Sequence, residues 1–193
     1  MTLYEKPKTV LVYNNKEYRF FPYFNRVLAI AEEVLPDKLL TAEEKAEIII
    51  PAVSDLPIET EAFELVLHEL FPKQRRTNKP RIMDFTQDAE LIYAAFLQCY
   101  QIDLYAEQDR LDWRIFLALL HGVSETTELA RIIKLRNTKV PEMTKSNRNY
   151  VASLMEAKRA VAIKEPEGDA AKRMANAWRL VAEGLKRRCQ TAK

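Results

Sequence analysis

Between Phe85 and Arg136 apolar residues recur three times over with the period of a helix face, and no other property of the chain limits its fold as tightly. Asp84 stands where it can cap the first of these helices. Gln87 falls at the N3 position, so the two approximate a capping box that satisfies two otherwise orphan backbone donors. Phe85, Ala89, Ile92, Phe96 and Cys99 then follow at steps of three and four, with Tyr93, Leu97 and Tyr100 as a second stripe beside them. Apolar over so much of its circumference, this helix belongs at the centre of a fold. After a break at Gln101 to Gln108, Trp113, Phe116, Leu117 and Leu120 mark a second helix, and Gly122 stands where a left-handed C-terminal cap is expected. Ser124 restarts the chain as an N-cap. Leu129, Ile132, Ile133 and Arg136 continue as a third amphipathic helix, and Pro141 lies beyond its end.

The rest of the chain repeats the pattern of helices stopped by proline. Only 3 Gly against 9 Pro in 193 residues is the wrong ratio for a turn-rich β protein. One hairpin is expected: Val10 to Tyr13 and Glu17 to Phe21 are β-formers around Asn14 and Asn15, both tolerant of positive φ. Two strands alone are marginal in water, so the hairpin has to pack on its own helices or gain strands from another copy; packing on its own helices is the simpler reading. Asn25 can cap a helix running to Leu35, stopped by Pro36. Thr41 with Glu44 forms a capping box for a helix reaching Ile50, with Pro51 as its stop. Thr60 opens another, with Phe63, Val66, Leu67 and Leu70 on its buried face. From Thr144 a helix is expected to run to Ile163, presenting Val151, Leu154, Met155 and Lys158 along one face. After a break containing Pro166 and Gly168, a last helix from Ala170 to about Cys189 carries the narrow stripe Met174, Ala177, Trp178, Val181 and Leu185.

Charge divides the chain. Residues 1–133 hold 15 Lys/Arg against 22 Asp/Glu, whereas residues 134–193 hold 15 against 6, although the net charge of the whole is only +2. The division is that of an acidic body with a basic arm, and we place the boundary between 1–141, a helical body with the hairpin, and 142–193, a basic helical C-terminal arm. Such an arm can dock on its own body or a neighbouring subunit, seat in the groove of a foreign partner, or meet a membrane or nucleic acid, in that order of preference. The segment 73–81, with Lys73, Arg75, Arg76, Lys79 and Arg81, is read as a solvated linker in preference to a phosphate-facing loop, because no aromatic residue is there to stack bases.

Several function classes are excluded by what the chain lacks. No apolar run approaches the roughly 18–20 residues of a membrane span, and residues 1–8 hold no apolar core for a secretory signal. Cys99 and Cys189 are not a disulfide framework, and with His68 and His121 they make no set at metal-ligand spacing. A dyad of Cys99 with His68 or His121 is disfavoured, since Cys99 falls on a core stripe and His121 at a helix end. Glycines at 122, 168 and 184 build no phosphate loop. Asp84, Asp88, Asp103 and Asp112 suit caps and surface pairs better than an acid/base pair. A non-enzyme without cofactor or metal is therefore expected. Trp113 is read as core, and Trp178, on a stripe of otherwise small or flexible residues, as the better interface anchor.

The run Asp84-Phe85, Asp88, Ile92-Tyr93, Phe96, Gln98, Tyr100, Ile102-Asp103-Leu104, Leu111, Trp113, Phe116, Leu119-Leu120, Gly122, Leu135-Arg136 and Pro141 resembles a family of tailed-phage tail assembly chaperones. Their gene usually lies between those of the major tail protein and the tape measure protein. The resemblance covers roughly residues 9–163, is densest from 84 to 141 and is absent beyond 165. Gln101 stands where the family leads one to expect Gly, and Arg114 where a second Trp is expected beside Trp113.

The resemblance implies non-covalent binding of the tape measure protein and other tail assembly proteins in the host bacterial cytoplasm. Self-association is possible, and nucleic acid and membrane are disfavoured. The residues assigned to partner contact are Trp113, Arg114, Trp178, Leu185 and Arg187. The competing readings are a structural virion component of the tail or connector, and a nucleic-acid-binding protein using the basic arm. The expected fold is mainly α: a multi-helix domain with a short N-terminal β-hairpin and a basic C-terminal helix.

Overall fold

A computed structural model describes residues 6–72 and 82–164, and the described residues up to Ala162 form one unit. The fold is mainly α, with seven helices and a two-stranded antiparallel hairpin among the described residues. The hairpin pairs β1 (Val10–Tyr13) with β2 (Lys16–Arg19) in the register Val10 to Arg19 and Tyr13 to Lys16. Asn14 and Asn15 take φ of 49° and 59°, the left-handed pair that a tight two-residue connection requires. Leu11 turns inward and is buried. The segment that follows is stitched between distant elements. Phe21 N–H donates to Val53 O (2.8 Å), Phe24 N–H to Leu111 O (3.0 Å), and Trp113 N–H to Pro22 O (2.8 Å).

Helix α1 (Phe24–Ala29) continues as a single wider turn over Ile30–Val34, and Val27, Ile30 and Val34 are buried along it. Its N-cap is Tyr23, not Asn25. The Asn25 side chain is engaged elsewhere, by Asp109. Helix α2 (Ala42–Val53) opens on the expected box, with the Thr41 hydroxyl accepting from Glu44 N–H and the Glu44 carboxylate from Thr41 N–H. It does not stop at Ile50. Pro51 sits in the last turn, facing solvent, where the backbone carbonyl it leaves without a donor is open to water, and the helix closes through Ser54 N–H to Ile50 O (2.8 Å). Helix α3 (Thr60–Leu70) buries Ala62, Val66 and Leu70 against α2.

The central helix begins later than its stripe suggests. Residues 85–88 form a turn, and α4 spans Ala89–Tyr100. Asp84 does cap: its Oδ1 accepts from Thr86 N–H (2.9 Å) and Gln87 N–H (2.7 Å). The start is delayed because the Asp88 carboxylate accepts from Asp84 N–H (2.9 Å) and pairs with Arg136, which folds the chain back at that point. Asp84 and Asp88 are thus buried, contrary to their reading as surface groups.

Helix α5 (Trp113–His121) is capped by Asp112, whose carboxylate accepts from Arg114 N–H (2.8 Å). Helix α6 (Glu128–Asn137) starts from buried Thr127 instead of Ser124; Thr127 accepts from Ala130 N–H and donates to Ser124 O. Helix α7 (Arg148–Ala160) is shorter than the expected 144–163, because Asn147 accepts from Thr144 N–H and donates to Glu142 O, holding residues 142–147 in a turn. It packs on α6 through Val151. Lys158 Nζ donates to the carbonyls of Leu135 (3.3 Å) and Arg136 (2.7 Å) and to that of Thr138, so an ammonium satisfies the negative end of α6.

Candidate docking recess

Stacked aromatic rings lie at the centre of the fold, and an open recess lies beside them. Phe116 stacks on Phe24 (centroids 4.9 Å apart), on Phe96 (5.1 Å) and on Trp113 (5.6 Å), while Phe85 tilts against Phe116 at 6.3 Å. Such pairs contribute about 0.5–1.5 kcal/mol each beyond the area they bury. Where the rings reach the space between α1 and α4 they form the floor of an open recess of about 130 Å³. Phe24, Ile92 and Phe116 lie beneath, Leu28, Ala89 and Tyr93 form the walls, and Tyr105 stands at the lip, 72% exposed.

The far wall depends on the chain between α4 and α5. Gln101 ends α4 in the left-handed conformation (φ 57°) and turns the chain back over the helix. Asp103 Oδ1 accepts from Tyr105 N–H (2.9 Å), which fixes the next turn and brings the Tyr105 ring to 5.0 Å from that of Tyr93. Asp109, also at positive φ, is tied to α1: its Oδ1 accepts from Arg26 Nε (2.7 Å) and Asn25 Nδ2 (3.2 Å), and its N–H donates to Asn25 Oδ1 (3.1 Å). Two side chains of α1 therefore hold the loop that faces Leu28 of the same helix. Burial, and then the charge of Asp103, push the Tyr93 phenol above its ordinary pKa, so it stays protonated at neutral pH.

Chemically, the recess offers an apolar lining and stacked rings. Among the described residues no group of three His, Cys, Asp or Glu is placed to hold a metal ion. His121 lies at the end of α5 with Nδ1 2.7 Å from Leu117 O, and Cys99 is a half-buried free thiol on α4. A volume of about 130 Å³ is close to that of an engineered apolar cavity of about 150 Å³ that takes up benzene. It has room for one leucine- or phenylalanine-sized side chain.

Trp113 and Arg114 do not line it. Trp113 is 6% exposed and belongs to the ring stack, so its indole presents no surface to a partner. Arg114 binds Asp112 through Nε (3.0 Å) and Nη2 (2.6 Å), donates to Lys8 O (2.7 Å) and covers the Phe20 ring, a brace for the strand end in place of an exposed aromatic. Trp178, Leu185 and Arg187, together with the expected last helix and the basic segment 73–81, lie outside the described residues. The recess does have a trace in the sequence. Phe85, Ala89 and Tyr93 succeed one another at steps of four, and the small residue between two large rings leaves the gap.

Fold and recess together define a mainly α protein whose core rings open onto an apolar depression at its surface. The family model described as Bacteriophage Gp15 protein matches residues 7–162, four fifths of the chain, and the chain belongs to that bacteriophage family. Neither a curated protein nor a solved structure matches it. No helix among the described residues is long and apolar enough to cross a membrane.

Proposed function

We propose that this phage protein is a tail assembly chaperone, which binds the tape measure protein without covalent chemistry and keeps it soluble in the host cytoplasm until tail tube subunits assemble around it. The observation that carries this reading is the aromatic recess, an apolar depression with an exposed tyrosine at its lip. A groove of this kind takes an apolar side chain from one face of an amphipathic helix. A long helical protein with bare apolar stripes would otherwise associate with itself before its tube exists. Membership in a bacteriophage family and the resemblance to tail assembly proteins support the same reading.

Co-expression with the tape measure protein of the same phage tests it. Soluble co-purification that survives high salt is expected. Ala89→Trp, which fills the recess, is expected to weaken the association at least about tenfold, or about 1.4 kcal/mol, while the protein keeps its helical circular dichroism. Tyr105→Ala should weaken it less. Undiminished binding by Ala89→Trp would remove the recess from the mechanism. Absence of association, with the protein found instead in finished particles or on DNA at low salt, would replace the chaperone by a structural or nucleic-acid-binding role.

A further inference from the structure

Among the described residues the hairpin has one edge partly in use and one edge bare. In its register Tyr13 and Lys16 flank the two-residue turn, so Tyr13 and Leu11 turn their backbone groups toward β2, while Val10 and Val12 turn theirs away. On the β2 side the outer edge is taken at its far end: Arg19 O accepts from Asp55 N–H (3.1 Å), and Phe20 bridges to Ser54. On the β1 side, neither Val10 nor Val12 has a backbone partner among the described residues beyond the hairpin.

Their side chains are exposed as well, 41% for Val10 and 64% for Val12. Natural edges are commonly guarded by lysine, proline or a bulge. β1 is Val-Leu-Val-Tyr and carries none of these. Lys8, just before the strand, is drawn aside to Glu69 on α3 (2.9 Å).

We infer that β1 is the contact between two copies of this protein, pairing antiparallel with the β1 of a second copy across a twofold axis at Leu11. The occupant follows from the strand's self-complementarity. In that register Val10 faces the second copy's Val12, and Val12 its Val10, each pair exchanging both N–H and C=O groups. Those are the groups the hairpin leaves outward. β1 holds no charge, so no like charges are set directly against each other within the paired strands. The two hairpins become a four-stranded sheet with a cluster of four valines at its centre. This supplies the extra strands that a lone two-stranded ribbon needs for stability. The contact lies apart from the recess and does not depend on what the recess binds.

The test uses the full chain, followed by sedimentation equilibrium from micromolar to millimolar concentration and by amide exchange. A concentration-dependent dimer is expected, with the Val10 and Val12 amides protected in concentrated solution and fast in dilute solution. Val12→Pro removes one outward N–H, and Val12→Lys installs an edge guard without touching the backbone. Either is expected to weaken dimerisation at least about tenfold while far-ultraviolet circular dichroism is unchanged. A monomer at every concentration with both amides fast, or a dimer indifferent to both substitutions, would overturn the inference.

Discussion

Gln101 shows how much a single backbone angle carries. It ends α4 at φ 57°, a conformation that costs an L-residue about 1–2 kcal/mol and glycine almost nothing. The strain is accepted because the turn it makes sends Leu104 and Tyr105 back over Tyr93 to complete the recess. Gln101→Gly is expected to raise stability by about 0.5–1 kcal/mol, the relief being partly offset by the greater freedom of glycine in the unfolded chain. Thermal denaturation checks it, and a lowered melting temperature would mean that the Gln101 side chain holds the turn in a way its exposed position does not suggest. The sequence marks the place, since Gln101 follows the last periodic residue of the helix, but it does not show the direction the chain takes. That direction depends on Asp103 and on the distant pair Asn25 and Arg26 meeting Asp109.

At the level of the element, the end of α5 explains a glycine differently from the sequence pattern. Gly122 has an ordinary φ of -90°, so no left-handed cap demands it. Space does: a Cβ there would come within 2.9 Å of the Tyr100 hydroxyl, which donates to Leu119 O at 2.8 Å. Tyr100 packs edge-on against Phe96, so its hydroxyl yields only by giving up that bond. Gly122→Ala should therefore cost about 0.5–1.5 kcal/mol, and less in a Tyr100→Phe background, where the obstructing oxygen is gone. Strict additivity in urea denaturation would discount the contact. The same phenol sets an alkaline limit. Burial raises its folded pKa, so the stability it contributes is complete below the ordinary phenol value near 10 and is lost as pH climbs through the raised value. Tyr13, through its bond to Glu59, and Tyr93 shift in the same direction. Tyr100→Phe should accordingly make the fall of melting temperature between about pH 9 and 11 shallower without abolishing it. Helix existence was open to periodicity alone, as α2 with its Thr41 and Glu44 box illustrates. Boundaries were not. The start of α4 follows the pairing of Asp88 with distant Arg136, which no local pattern displays. At α6 two hydroxyl residues, Ser124 and Thr127, offer caps three positions apart, and burial of Thr127 decides between them.

Over the whole molecule, one guanidinium ties together parts of the chain far apart in sequence. Arg136 on α6 grips both oxygens of Asp88 (2.6 and 2.9 Å), the carbonyl of Ile82 (3.2 Å) and that of Val161 beyond α7 (2.6 Å), all largely out of water. Arg136→Ala takes a two-pronged guanidinium from a carboxylate 2% exposed and is expected to cost about 3–5 kcal/mol. Lysine should recover only part, because a point charge cannot serve so many acceptors as a planar fork. A loss below about 1 kcal/mol in urea denaturation would show that water or another group takes the place of Arg136 at Asp88. The sequence gives no hint of this pairing, since Arg136 reads as the polar edge of an amphipathic stripe. The recess is legible only as a small residue between two rings, for its other wall comes from α1. The stitching of residues 20–24 between Val53 and Trp113 has a consequence for synthesis. One of the two anchors of this segment is translated about 90 residues after Phe24, some 5–20 s later at bacterial rates. Through that interval Phe20 and Phe24 wait without all of their final neighbours, and this stretch of the nascent chain is sticky.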